Sequence, residues 1–358
     1  MSVSYKRLEE VCEILDAQRV PITAKDRKAG KYPYYGANGL QDHISDYIFD
    51  DELVLLAEDG GNFGSKDRPI AYRVSGKCWV NNHAHVLKAK NVIDTDYLCY
   101  ALMFYNTDGI VNGATRQKLT QSAMRKMIIP YRNIQEQAEI VEKIHRIFDL
   151  IDKRKHELNL LDELVKSRFI ELFGDPVSNP MGWEETTLKT VCTKITDGEH
   201  GSVPRVEKGH PFLNAKHVLK NGSIDWASVS FIDDEVHDKL CRRCNPEEND
   251  ILMTTTGTIG NIAIVTNSEP FSMDRGITLL KIDREQMDSR FIACLLRFDG
   301  IQALMQANVH ASAIGHLFLN KVEQIPIILP SLVLQQQFAA FVAEVDKSKH
   351  FSELEVAA

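Results

Sequence analysis

Apolar residues recur every seven positions along one stretch of the chain: Ile144, Ile151, Leu158, Val165 and Leu172, with Val141, Phe148, Leu161 and Phe169 beside them. A sustained seven-residue period marks a coiled-coil seam. The 41 residues from Asn133 to Phe173 contain no Pro and no Gly. Asn133, with Glu136 three residues on, suits a helix start, and Gly174 before Asp175-Pro176 supplies the stop. At 1.5 Å per residue this predicts a rod of about 60 Å. Its apolar seam needs a partner, which is expected from about Leu332 through Phe338, Phe341, Val345 and Phe351. There Asp346-Lys347-Ser348-Lys349-His350 echoes Asp152-Lys153-Arg154-Lys155-His156. The plainer alternative is one long helix lying on its own domain.

On either side of this rod the pattern changes and is written twice. Leu8 to Cys12 returns as Leu188 to Cys192. The apolar run Leu53-Val54-Leu55-Leu56, ending on Gly61-Asn62-Phe63-Gly64, returns as Ile251-Leu252-Met253, ending on Gly257-Thr258-Ile259-Gly260. Short apolar runs bounded by turn residues read as buried strands, whereas Asp96–Phe104 and Arg290–Phe298 have helical spacing. Lys88 and Lys281 close strand-like segments, and Ile128-Ile129-Pro130 and Ile328-Leu329-Pro330 lead into Ile134-Gln135-Glu136-Gln137 and Leu334-Gln335-Gln336-Gln337. A repeat near 195 residues means duplicated domains, since solenoid units repeat every 20 to 50 residues or so. The predicted architecture is α+β: two similar globules at 1–130 and 177–330, a helical spacer at 131–176 and a second helix at 331–358. Paired as an antiparallel coiled coil, the helices would give a pseudo-twofold repeat.

Composition adds limits. At 358 residues, 44% apolar and 26% charged, the chain suits a soluble protein of two domains. No apolar run approaches the roughly 18 residues of a membrane span, and the N-terminus lacks a signal-peptide core, so no membrane association and a cytoplasmic location are expected. Seven scattered cysteines fit reduced thiols. The one close pair, Cys241-Arg242-Arg243-Cys244, reads as a surface loop, without the second pair or the histidines a zinc site would want. The net charge of −8 contains no basic tail: residues 1–130 carry 17 Lys+Arg against 16 Asp+Glu, and residues 177–330 carry 15 against 20. Any DNA binding must then use local patches, and specific recognition would lean on partners.

Catalytic signatures are missing: the chain has no phosphate-binding loop, no H-E-x-x-H, no G-x-S-x-G and no G-x-G-x-x-G. Asn179-Pro180-Met181-Gly182 has one proline where a base-methylating motif would have two, and reads as a linker turn. The glycine loops lack the lysine of a phosphate cradle and suit either a tight turn or a ligand-facing loop.

Taken in order, these features resemble the specificity subunit of type I restriction-modification systems. The resemblance rests on Tyr32-Pro33-Tyr34-Tyr35-Gly36-Ala37-Asn38-Gly39, on Leu53 to Gly60, and on Ile129-Pro130 leading to Ile134-Gln135-Glu136-Gln137. In the second half it rests on Gly198 to Pro204, His210-Pro211-Phe212-Leu213, Asp250-Ile251-Leu252-Met253 and Val345 to Lys349. It implies a non-catalytic DNA reader whose two target-recognition domains each read half of a split, asymmetric sequence in double-stranded DNA. It further implies that the helices set the spacing and dock two methyltransferase subunits, to which restriction and translocase subunits join. No cofactor is expected on this chain; S-adenosylmethionine, ATP and magnesium would sit on the partners. A paired stretch of about 25 residues would span roughly 35 to 40 Å, close to the ~34 Å between major-groove faces one DNA turn apart. The second helix looks short for the family, which suggests that two copies could associate to complete the pseudo-symmetry, or that a partner subunit covers the far end of the first helix. A protein–protein scaffold dimerising through the coiled coil is the alternative from another class.

Direct readout favours Arg or Lys on guanine, Asn or Gln on adenine, and small polar groups elsewhere, presented from loops. In the first globule the candidates are Tyr34, Tyr35, Asn38, Asn62, Ser65, Lys66, Arg68, Asn81, Asn82, His83, Arg116 and Lys118. In the second they are Asn214, Lys216, His217, Thr255, Thr256, Thr258, Arg275, His310 and His316.

Overall fold

The computed structural model describes residues 3–113, 116–266, 269–309 and 315–357, with side chains omitted for 350–357. The chain forms two compact units, Met1–Ile151 and Asp152–Ala358.

The first unit begins with β1 (Ser4–Arg7), α1 (Leu8–Val11) and β2 (Cys12–Ile14), followed by β3 (Ala29–Gly36), β4 (Gly39–Ile44), β5 (Phe49–Ala57), β6 (Ala71–Val80) and β7 (Ala84–Ala89). Then come α2 (Thr95–Met103), α3 (Gln121–Arg125), β8 (Ile128–Tyr131) and the start of α4 (Ile134–Phe173). Six strands form one sheet in the order β2-β7-β5-β6-β3-β4. The run Leu53 to Ala57 is central and buried on both faces, which is why it reads as unbroken apolar sequence. Alternate residues serve different cores: Val54 and Leu56 pack with Leu98 and Leu102 of α2, whereas Leu53 and Leu55 pack with Val74 and Val86. Antiparallel pairing of β1 with β8 ties the start of the unit to the approach to α4.

The second unit contains β9 (Glu185–Thr187), α5 (Leu188–Val191), β10 (Cys192–Asp197), β11 (His210–Leu213), β12 (Ser230–Ile232) and α6 (Asp234–Cys241). It continues through β13 (Ile251–Thr254), β14 (Ile262–Ile264), β15 (Ser272–Met273) and β16 (Ile277–Ile282). It ends with α7 (Ser289–Leu296), α8 (Asp299–Ala307), α9 (Leu319–Val322), β17 (Pro326–Ile328) and α10 (Leu332–Ala357). The order β10-β16-β13-β14 reproduces β2-β7-β5-β6, and β9 pairs with β17 as β1 pairs with β8. One strand differs. Where β6 runs unbroken, the second unit has β14 and then β15, and Pro270 between them lacks the N–H that a continuous ladder would need. Even so, β15 pairs in parallel with β11, as the end of β6 does with β3.

Backbone pairing shifts two landmarks of the repeat. His83 O accepts from Glu58 N and Gly276 O accepts from Thr255 N, both at 2.8 Å, so Gly60 rather than Gly61 corresponds to Gly257. The helix starts also move by two residues. Gln137 Oε1 accepts from Asp94 N at 2.7 Å, and its Nε2 donates to Val92 O and Arg132 O at 3.1 and 2.7 Å. Gln335 Oε1 accepts from Asp288 N at 2.9 Å, and its Nε2 donates to Pro330 O at 2.8 Å. Both glutamines are fully buried. Ile134-Gln135-Glu136-Gln137 therefore matches Leu332 to Gln335, a register that a glutamine-rich stretch conceals.

The heptad positions of α4 have unequal surroundings. Val141 joins the first unit's core, and Phe169 and Phe173 lie in the second unit's core, with Phe169 stacked on Phe291 at 5.5 Å. Between them Ile144, Ile151, Leu158, Leu161 and Val165 are half-buried, as is Leu172 near the end, and Phe148 is 41% exposed beside Tyr100. Within the second unit Phe338 meets Phe169 and Phe173 edge-on, each at 5.5 Å, and Lys349 Nζ lies 2.5 Å from Asp162. These contacts set α10 and the last turns of α4 in opposite directions. Phe341 packs partly against the same core and Val345 is buried. Cys241 ends α6 and Cys244 is buried among apolar residues, so this pair is not a surface loop. All seven cysteines are free thiols.

Candidate nucleic-acid interface

At one end of the strands of each sheet three backbone segments meet in the same way. In the first unit the turn after β5 carries Glu58, Asp59 and Gly60, the turn between β6 and β7 carries Asn81, Asn82 and His83, and a strap at 116–119 crosses beside them. Leu119 N donates to Glu58 O at 2.7 Å, Gly60 N donates to Gln117 O at 3.3 Å, and Asp59 forms a bridge with Lys118. The second unit repeats each bond. Leu317 N donates to Thr255 O at 2.9 Å, Gly257 N donates to Gly315 O at 3.3 Å, and Thr256 bridges to His316. Gly60 and Gly257 both have left-handed φ, 63° and 77°, which a side chain would strain.

The frame is common but the side chains are not. On the first face Arg116 Nη2 and His83 Nδ1 both reach Asp59 Oδ1, at 2.5 and 2.7 Å, and Lys118 Nζ lies 3.0 Å from Glu58 Oε1. Asn38, from the turn after β3, donates to Gly60 O at 3.0 Å. Burial raises the Glu58 carboxyl, but hydrogen bonds from Arg19 and Lys118 outweigh it and keep the group below the usual carboxylate range. Arg116, Lys118, Asn82 and Asn38 are exposed. On the second face Thr256 Oγ1 pairs with His316 Nδ1 at 2.7 Å, and exposed Arg275 stands where the first unit has Asn82. Burial, with Arg275 nearby, pushes the His316 imidazole below its ordinary range. Exposed Lys216 takes the place of Asn38, and Thr258 is exposed on the glycine loop. One face is thus a set of partnered charges, whereas the other presents hydroxyls, an imidazole and cations that form no ion pair among the described residues.

Not every sequence candidate belongs to these faces. Tyr34 is 1% exposed and donates to Ile22 O at 3.3 Å, so it is a core residue. Tyr35 is half-buried against Tyr72. Asn81 is buried and shapes its turn, accepting from His83 N and donating to Gln41 Oε1. Thr255 and His217 are each 1% exposed; Thr255 contacts Thr278 Oγ1, and His217 Nδ1 accepts from Asn214 N. Asn214 in turn is held by Asp274. These polar groups looked available because residue type does not reveal that local backbone and side-chain partners already engage them; of His217 only Nδ1 is so engaged, its buried Nε2 having no hydrogen-bond partner among the described residues. Asn62 and Ser65 are half-buried and brace the 58–70 loop, Ser65 Oγ accepting from Arg68 N at 3.0 Å, while Lys66 and Arg68 are exposed on it. His310 lies outside the described residues.

Sequence reasoning missed the support under the first face. His85 is fully buried; its Nδ1 lies 2.7 Å from Asp16 Oδ2 and its Nε2 lies 2.8 Å from Leu119 O. Asp16 also accepts from Val86 N and Gln121 Nε2, each at 2.9 Å. Burial raises the Asp16 carboxyl, but bonds from His85, Gln121 and Val86 prevail and bring it down to about 2. Asp16, Glu58 and His85 are the one group among the described residues whose ligand atoms lie close enough for a metal. Arg19 is already bonded to Glu58 at 2.6 Å and lies 3.5 Å from Asp16, so the cluster is an ion-pair network with its own cations. The only signal for it was a lone histidine in an apolar strand.

Among known proteins the sequence profile of the type I restriction modification DNA specificity domain matches residues 2–163 and again 180–355. A protein of Haemophilus influenzae assigned as a type I restriction enzyme specificity subunit is 25% identical over 95% of this chain and 86% of its own. The MjaIX type I specificity subunit of Methanocaldococcus jannaschii is 26% identical over 90% and 78%. In fold the chain is similar to the type I restriction-modification S subunit of M. genitalium, with TM-score 0.58 and 16% identity, covering 100% of this chain and 92% of that one. A chain from the structural study of complex assembly and conformational transition of the type I R-M system gives 0.53 at 14% identity, covering 99% and 94%. Among the described residues no helix is long and apolar enough to cross a membrane. With both halves matched in turn, this chain belongs to the type I restriction modification DNA specificity family.

Proposed function

We propose that each unit reads one half of a split double-stranded DNA sequence through the face built from its two turns and strap. The observation that carries this is the pair of identical backbone frames holding unlike side chains, which is what reading two different half-sequences requires. The family role is specificity rather than catalysis, in keeping with the missing catalytic motifs, and it disfavours the scaffold alternative. In this reading residues 131–176 and 331–358 pair as an antiparallel coiled-coil spacer; the Phe169–Phe338 and Asp162–Lys349 contacts support it. Two methyltransferase subunits would dock on these helices and supply the S-adenosylmethionine chemistry, with ATP and magnesium used by restriction subunits. Self-association through α10 is a further element of the same reading.

Co-expression with a type I methyltransferase subunit, followed by sequencing of methylated DNA, tests the proposal. The expected result is a single split motif and a complex of two methyltransferase chains per specificity chain. A chain that purifies alone and directs no methylation would refute it.

A further inference from the structure

The ion network beneath the first unit's face is mostly buried, yet it holds the part of the face that carries two exposed cations. His85 projects from β7 with its two ring nitrogens placed at Asp16 Oδ2 and at the carbonyl of Leu119. Leu119 ends the strap, its own N–H being bound to Glu58 O. The strap is thus clamped on both sides at one residue, three positions from Arg116 and directly after Lys118.

The second unit reaches the same frame without charge. Register places Ile14 against Leu87 and Ile195 against Leu280, which makes Asp197 the counterpart of Asp16 and Thr278 the counterpart of His85. Glu58 likewise corresponds to Thr255, and the threonines meet at 3.3 Å between hydroxyls. Asp197 is turned instead to His200 and Arg243.

We propose that His85, held by Asp16, is a positioning residue for DNA reading: it fixes the strap that presents Arg116 and Lys118, and so sets base preference in the half-site of the first unit alone. This rests on the functional reading above. A buried bond to a main-chain carbonyl can do this because its loss loosens the strap at Leu119, while the main-chain bonds to Glu58 and Gly60 remain, without altering any group on the face itself.

The test uses the full chain in complex with methyltransferase subunits, scoring binding to the split target and to every single-base variant of it. Arg275→Ala first assigns which half the second unit reads. His85→Gln is then expected to cut discrimination in the other half by on the order of ten-fold, leaving the Arg275 half unchanged. Equal loss in both halves, as from general destabilisation, or no loss in either, overturns the proposal. Should His85→Gln fail to fold, Gln121→Ala decides, since it removes one bond from Asp16 at the exposed start of α3. A smaller relaxation confined to the same half supports positioning, and unchanged discrimination overturns it. If the unaltered complex recognises no split target, the functional reading fails first and this inference falls with it.

Discussion

Replacing Gln137 by Ala should destabilise the first unit far more than a surface polar substitution would. The side chain is fully buried and makes three bonds to main chain: from Asp94 N, to Val92 O and to Arg132 O. Truncation leaves those groups without their partner, at about 1 to 3 kcal/mol for each that stays dry. Water entering the vacated space would recover part of this, which brings the expected cost to about 3 to 4 kcal/mol. For a unit of this size 1 kcal/mol shifts the midpoint by roughly 2 to 4 °C, so the unit should melt about 6 to 16 °C lower. Gln137→Glu should be no better, since it places acceptors against the carbonyls of Val92 and Arg132. Calorimetry of the full chain measures the shift, and Gln335→Ala identifies the transition that belongs to the second unit. A Gln137→Ala chain melting within about 2 °C of the parent would refute the assignment of these bonds as a structural lock.

Three further outcomes follow from the geometry. Because Asp16 is held at about 2 against an ordinary 3.8, it stabilises the folded first unit above pH 3.8 by roughly 2 kcal/mol, and this is lost as the pH falls towards 2. The stability gap between the parent and Asp16→Asn in urea unfolding should therefore close across that window, and a gap independent of pH would contradict it. Lys66→Ala with Arg68→Ala should weaken binding to the cognate sequence in a gel-shift assay with methyltransferase present; unchanged affinity would remove that loop from the interface. Phe338→Ala, which empties an aromatic cluster shared with Phe169 and Phe173, should cost about 3 to 5 kcal/mol in the second unit. Retention of the parent melting profile would show that α10 does not depend on that contact.

Much of the frame was legible in the chain because packing writes itself as pattern. Leu53 to Leu56 and Ile251 to Met253 lie in central strands, and such runs have few other uses. The helix over 134–173 was equally plain from its period and lack of breakers. Legibility failed where hydrogen bonding, not hydrophobicity, decides. Gln135, Glu136 and Gln137 are interchangeable to a pattern, and only the bonds to Asp94 and Arg132 single out Gln137. The interface was half visible for the same reason: loop positions such as Arg116, Lys118 and Arg275 could be nominated by chemistry. Whether Asn81 or Thr255 faces outward depends on which turn consumes it, and the Asp16–His85 bond joins residues 69 positions apart.

The strap and turns are joined to each other by main-chain bonds, and this separates the durability of the frame from its chemistry. Any residue except proline at 59, 118, 256 or 316 supplies the same N–H and C=O, so these positions can mutate while the lattice of bonds beneath them stands. New target preferences can then arise by single steps that leave folding intact, and segments such as 116–119 become candidates for grafting between homologous readers. Gly60 and Gly257 are the exceptions: their left-handed backbone makes them fixed points around which the alphabet of the face can drift.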